Sequence, residues 1–346
     1  MEYINEININ NAIIHILDRN ADEPVFNEYP LNLTEEVYDF VYKHVQRCLK
    51  DEELKYAVFK KDRNIVKEIS MEFLKGEMSL LEVSKELASQ LFILMGSRGN
   101  ISSCDLLVVS FTTEYGPFLG VFKMDYIKNY MHNVEVVDGK IDIHIVPQFT
   151  GLPSSSARIQ KCAFIRTPSE GSRYDLLVID KQGKKTKEDG DYGANYFIDN
   201  YLGCNIIENE RDQTKQFIKV AEKWTQKAYS ENADSQETVR RELKKRIKEE
   251  DSIDLNKFSE EVFKEDEGMK ESFMTYARES GVSDRIDVDK QWVEKKLKRV
   301  RLKIDKDIDL YISEEAYNDI NKFEIERVGD GSINMKIKHV ISYTEK

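Results

Sequence analysis

Asp175 and the pair Asp180-Lys181 bracket a short apolar run, Leu176-Leu-Val-Ile179. Carboxylates with a nearby lysine at strand ends are the groups a metal-dependent nuclease uses to hold a divalent cation and activate water. The acidic-x-Lys spacing is missing, however, and the three charges also fit a strand leaving the core at both ends. No phosphate-binding glycine loop, GxSxG, HExxH or EF-hand pattern occurs, and Gly96-Ser-Arg-Gly99 has neither the spacing nor the lysine of a phosphate loop. The histidines, His15, His44, His132, His144 and His339, are isolated from one another. His15 and His144 sit in apolar strand-like runs, where a hydrogen-bonded structural role is expected. The cysteines Cys48, Cys104, Cys162 and Cys204 form no CxxC pair, so neither a zinc site nor a disulfide framework is expected. Pro153-Ser-Ser-Ser156 reads as a polar loop. These residues predict no enzyme, metal or cofactor, with a nuclease as the weak alternative.

The other chemistry is phosphate binding. Lys215, Lys219, Lys223 and Lys227 recur every four residues, while Phe217, Val220, Ala221, Trp224 and Ala228 fall largely on the opposite side of the same helix. In a following helix Val239, Leu243 and Ile247 form a narrow apolar seam, crowded by Arg240, Arg241, Lys244, Lys245, Arg246 and Lys248. Asp234 and Glu237 suggest a capping box at its start. Lys295, Lys296 and Lys298 then lead into Arg299, Arg301 and Lys303, which alternate with Val300, Leu302 and Ile304. Period-two geometry puts those three cations on one strand face. Such faces could follow a phosphate backbone. Pairing with the acidic 251–289 segment, which holds 5 basic and 12 acidic residues, is the competing use. No aromatic interleaving suited to base stacking stands out in the basic segments.

The elements that must position these groups divide into two textures. Up to about residue 205, strands and helices alternate. Ala12–Leu17 reads as a strand, and Thr34 starts a helix with Val37, Phe40, Val41 and Val45 at helical spacing. Residues 51–76 are ambiguous, and Ser79–Met95 is an amphipathic helix. Short strands follow at 105–111, 118–122, 141–146, 163–165 and 174–179, separated by turn residues such as Asp138-Gly139. Asn195–Leu202 reads as a helix stopped by Gly203. Residues 213–281 are helical and charged. Strands return at 299–304, 310–312, 323–328 and 333–340, the last two joined by Gly329-Asp-Gly-Ser332. The expected fold is α+β: an N-terminal, mainly antiparallel sheet with flanking helices, then a C-terminal helical segment and a small β-sheet. The expected domains are residues 1–209 and 210–346.

The chain's 346 residues carry a net charge of −12, which argues against a protein that is basic throughout. The charge is unevenly shared. Residues 1–212 hold 24 basic and 34 acidic residues, whereas residues 213–346 hold 28 and 30. Within the latter, residues 290–306 hold 8 basic and 2 acidic residues. The acidity therefore restricts where an anionic partner can sit rather than forbidding one. The N-terminus lacks the basic start and apolar run of a signal peptide, and the apolar stretches fall far short of a membrane span, so a cytoplasmic protein without membrane contact is expected.

The ordered succession of Asp105-Leu-Leu-Val-Val, Leu152-Pro153, Lys161-Cys-Ala-Phe-Ile165, Tyr174-Asp-Leu-Leu-Val-Ile-Asp180 and Asn195-Tyr-Phe-Ile-Asp-Asn-Tyr-Leu-Gly203 resembles the 37-kDa nucleoid-associated bacterial protein family. Phe273-Met-Thr-Tyr-Ala, Gly281, Lys298–Ile304 and Asn334-Met-Lys-Ile-Lys338 are similar to its closing segment. The resemblance implies a cytoplasmic, nucleoid-located protein that binds double-stranded DNA with little sequence preference and has no established catalytic residues. The basic run Lys295–Lys303 is read from its charges and not from the resemblance. The leading expectation is thus duplex binding by the C-terminal domain, with the acidic N-terminal domain facing away and serving dimerisation or partner contact. The alternative is a protein-interaction module without DNA contact. A homodimer is expected because symmetric pairs are common and two DNA contacts are useful.

Overall fold

The computed structural model describes residues 2–97, 101–154, 157–168, 171–181, 195–264, 266–305 and 307–344. Ser155, Ser156, Arg98 and Gly99, named above, lie outside the described residues. The fold is α+β, and it separates into two compact units, Glu2–Ile207 and Glu208–Lys346.

The first unit runs β1 (Asn8–Leu17), α1 (Glu35–Leu49), β2 (Lys55–Phe59), α2 (Ile65–Leu74), α3 (Leu80–Ser97), β3 (Cys104–Thr113), β4 (Gly116–Asp125), β5 (Ile127–Val137), β6 (Lys140–Thr150), β7 (Lys161–Arg166), β8 (Leu176–Asp180) and β9 (Cys204–Ile207). Seven of these strands form an antiparallel sheet in the order β1-β3-β4-β7-β8-β2-β9. One face packs Leu106, Val108, Val121, Ala163, Ile165 and Val178 against Val83, Leu87 and Leu91 of α3. Helix α1 covers the other, where Cys48 meets Cys162. With both faces covered, the central strands are buried almost throughout, which is why Asp105–Phe111 reads as a continuous apolar run and not as an alternation.

Thr34 caps α1 through its side chain, as its position predicts. The ambiguous stretch 51–76 holds β2 and α2, the latter capped by Asn64. A five-residue strand followed after five residues by a ten-residue helix is too short for either periodicity to dominate. Residues 197–202 form a π-helical turn rather than an α-helix, and Gly203 ends it at φ +59°, where an added Cβ would come within 2.6 Å of the Asn64 amide.

The second unit contains α4 (Glu210–Ala228), α5 (Ala233–Glu249), β10 (Ser252–Asp254), α6 (Leu255–Val262), α7 (Glu267–Glu279), β11 (Arg285–Asp287), α8 (Lys290–Leu297), β12 (Arg299–Ile304), β13 (Ile308–Ser313), α9 (Glu314–Asn318), β14 (Phe323–Arg327) and β15 (Ile333–Ile337). Its core is an aromatic cluster in which Trp224 and Phe273 pack edge-on, with Phe217, Phe258 and Phe263 around them. The strands pair as three ribbons, β10–β11, β12–β13 and β14–β15. The expected capping box is replaced: Asn232 caps α5 by accepting from Ser235 N. Asp234 instead pairs with Arg327 at 2.9 Å, and its N–H donates to Gly331 O in the β14–β15 turn. A tertiary contact has taken the carboxylate that local pattern assigned to the helix end.

His15 is fully buried, and its two ring nitrogens have separate partners. Nδ1 accepts from Asn27 N at 3.1 Å, so Nε2 carries the proton and donates to Ser84 Oγ at 2.9 Å; Ser84 in turn donates to Leu81 O. Burial, with Lys85 nearby, lowers its pKa to about 4, and burial lowers that of His44 as well. Since the unfolded imidazole takes up a proton near pH 6.5 and the folded one does not, stability is full above about 6.5 and falls as the pH drops toward 4. Urea melts across that window should show this loss, and His15→Asn should reduce it to the part that His44 contributes.

Candidate nucleic-acid interface

Arg299, Arg301 and Lys303 are exposed along one face of β12, with Val300 buried and Leu302 and Ile304 half-buried behind them. The antiparallel register sets Ser313, Tyr311 and Asp309 of β13 opposite the three cations on that same face. Tyr311 is 64% exposed, and the Arg301 guanidinium stands 5.0 Å from its ring centre and 3.4 Å from Asp309. Tyr311 therefore supplies an aromatic within the basic face, which the strand sequences alone did not show; the signal lies in cross-strand register. Among the described residues, Lys298, Arg299 and Lys303 have no ion-pair partner.

The ribbon is fixed to the helices through three residues, Asp289, Trp292 and Glu314. Asp289 caps α8, one carboxylate oxygen accepting from Trp292 N at 3.1 Å, while its other oxygen accepts from Arg211 Nε of α4 at 3.3 Å. Both members of this ion pair are buried. Asp289 N also donates to Thr214 Oγ1 at 2.9 Å. Trp292 then lies beneath two cations, Lys215 of α4 at 5.5 Å and Lys296 of α8 at 5.9 Å from its ring centre. Lastly, Glu314 bonds to Lys298 O through its backbone N–H and pairs with Lys248 through its carboxylate. Lys215, Lys248, Lys296 and Lys298 are thereby gathered beside the start of the ribbon, with exposed Lys295 on the same short helix.

Other basic residues are placed differently. Lys219, Lys223 and Lys227 are exposed as the helical stripe predicts, and Lys227 stands about 18 Å along the axis from Lys215. On α5, Arg240 makes two bonds to Glu222 of α4, at 2.9 and 2.7 Å. Burial would raise the Glu222 pKa, but the Arg240 bonds outweigh it and hold the carboxyl below its ordinary value. Lys244 lies 4.6 Å from the Tyr317 ring centre, and burial lowers its pKa. Arg246 pairs with Glu250 and Glu261, the latter in the acidic segment. Four cations of α5 thus tie helices together, leaving Arg241 and Lys245 as its outward-facing pair, with Glu242 3.9 Å from Arg241. The β14–β15 cations Arg327, Lys336 and Lys338 are likewise paired, with Asp234, Glu326 and Glu324.

The residues that suggested a nuclease do not converge. Asp175 and Asp180 are five residues apart on an extended strand, about 17 Å and on opposite faces, too far to share one cation. Asp175 accepts from Phe59 N at 3.1 Å, Lys181 pairs with Asp51 at 2.5 Å, and Asp180 forms a fully buried ion pair with Lys161. Among the described residues, no group of three or more His, Cys, Asp or Glu side chains is placed to hold a metal ion. His144, expected inside a packed strand, is half-exposed on β6 beside Asp142 at 3.4 Å, because β6 is not part of the seven-stranded sheet.

Removing one partner of a buried pair strands the other charge, so Asp180→Ala and Asp289→Ala should each lower unfolding free energy by about 3–5 kcal/mol. Chemical denaturation of the two variants checks this, and a loss below about 1 kcal/mol would contradict the buried-pair account.

Among the described residues, no helix is long and apolar enough to cross a membrane. No curated protein matches the chain. Over residues 13–345, nearly its whole length, the sequence matches the family described as nucleoid-associated protein YejK, and the chain belongs to that family.

Proposed function

We propose that the chain is a nucleoid protein of the cytoplasm that binds double-stranded DNA with little sequence preference, using the β12 face and the cations gathered at its start. The observation that carries this reading is the exposed Arg299-Arg301-Lys303 row, continued by Lys298, Lys296 and Lys295 and lacking carboxylate partners at Lys298, Arg299 and Lys303. Membership of a nucleoid-associated family supports it. Lysine and arginine on such a ribbon contact phosphates without reading base edges, so affinity gains little from sequence. The mixed face, with Asp309 beside Arg301, moderates the positive field and favours a short contact over extended wrapping.

The net acidity of the chain then has a function in the same scheme. Residues 1–212 repel the duplex while residues 290–306 attract it, which orients the encounter. Lys219, Lys223, Lys227, Arg241 and Lys245 extend the contact only if the duplex also lies along α4 and α5.

The quadruple variant K298E/R299E/R301E/K303E should weaken binding equally on duplexes of unrelated sequence. Each lost phosphate contact removes about 0.9 from the slope of log affinity against log salt, so the slope should flatten by about 3–4. Fluorescence anisotropy at several salt concentrations measures both. Unchanged affinity would remove the ribbon from the interface, and the same titration on K223E/K227E shows whether α4 takes part.

A further inference from the structure

The β5–β6 hairpin belongs to the first unit's chain path but not to its sheet. Strand β4 pairs directly with β7, from Phe118 opposite Arg166 to Lys123 opposite Lys161, so everything between Tyr126 and Gln160 is an excursion that the sheet closes without. Within it, β5 and β6 pair with each other over eleven positions, from Ile127 opposite Thr150 to Val137 opposite Lys140. Asp138 and Gly139 turn the chain at φ +51° and +77°, the geometry of a tight two-residue hairpin. Every residue of β5 is exposed, and so is most of β6.

The two faces of this arm have different chemistry. Residues paired across the strands share a face. One face carries the pairs Val137–Lys140, Glu135–Asp142, Asn133–His144, Met131–Val146, Asn129–Gln148 and Ile127–Thr150, eight of its twelve side chains polar, with His144 lying close to both carboxylates. The opposite face carries the pairs Val136–Ile141, Val134–Ile143, His132–Ile145, Tyr130–Pro147 and Lys128–Phe149. Eight of those ten side chains are apolar, and Ile145, Ile141 and Val136 are 78%, 74% and 73% exposed. At such exposures the strip presents about 800 Å² per chain, more than the 300–600 Å² of the largest apolar patch usual on a monomer.

We propose that this strip is the homodimer interface, two copies of the arm packing face to face about a two-fold axis. About 800 Å² per partner is the area of a standard specific interface. A face this poor in charge matches the composition of permanent homodimers rather than transient contacts, and a second copy is the partner always present in equal amount. Pro147 lacks an N–H, which makes β6 a poorer edge for strand addition and leaves the face as the better contact. Taken whole, the arm is net acidic, since Glu135, Asp138 and Asp142 outnumber Lys128 and Lys140 and Asp138 lies at the tip, which opposes the approach of an anionic surface although the strip itself carries only Lys128. Bilayer headgroups and nucleic-acid phosphates are disfavoured alike.

Sedimentation equilibrium of the full chain tests this without DNA, so its outcome is independent of the duplex-binding reading. The wild type should sediment at twice 40.4 kDa at micromolar concentration. I143K/I145K, altering two exposed side chains, should sediment at 40.4 kDa with its circular dichroism spectrum unchanged, whereas N129K/N133K on the opposite face should remain dimeric. A monomeric wild type, or a dimer that survives I143K/I145K, overturns the proposal. If the wild-type monomer also shows slow amide exchange across residues 127–150, the strip is covered by another part of the same chain.

Discussion

The arrangement of the basic surface depends on one carboxylate. Asp289 directs one oxygen to the first turn of α8 and the other to Arg211 of α4, both in a buried setting where neither bond is replaced by water. Because α8 runs straight into β12, that junction sets the direction in which the ribbon leaves the helices. Trp292, three residues later, then brings a lysine from each helix to one ring. The cations themselves are exposed and mobile in the way long side chains are. What the fold specifies is the backbone from which they project, and that specification rests on a desolvated ion pair costly to half-remove.

The first unit solves a different problem. A sheet covered on both faces has no solvated side on which to place charge, so its polar groups collect at strand ends. Lys161 and Asp180 are opposite one another in β7 and β8, and the Lys123–Asp125 pair lies in the adjoining part of the sheet. The Lys161 ammonium is 4.8 Å from the Tyr196 ring centre, which closes the cluster from above. These charges explain why Asp180 looked chemically interesting in sequence. They neutralise one another within the fold.

Much of this was legible in the sequence, for identifiable reasons. Helices α1, α3, α4 and α5 are long enough for their apolar spacing to be unambiguous, and the central strands are long, apolar and bounded by turn residues. The exposed row on β12 followed from simple alternation. What sequence could not supply was pairing. Tyr311 joins the basic face through its register with Arg301, a pairing that alternation within either strand does not reveal. Asp234 left its helix for Arg327, ninety-three residues away. Strand β5 escaped notice because Lys128, Asn129, His132 and Asn133 break its apolar pattern, although its partner β6 was recognisable. Its polar face needs no core, and so leaves no core signature.

The excursion between β4 and β7 also bears on how the chain reaches its fold. A hairpin closed by a two-residue turn forms in about 1–10 μs, before any pairing that spans dozens of residues. Once Ile127 lies opposite Thr150, the stretch separating β4 from β7 is effectively reduced from 35 intervening residues to little more than the 10 between Thr150 and Lys161. By the logarithmic cost of loop closure, that shortening is worth about 1 kcal/mol to the central ladder of the sheet. An arm that contributes nothing to the sheet's final packing still lowers the entropic barrier to its assembly.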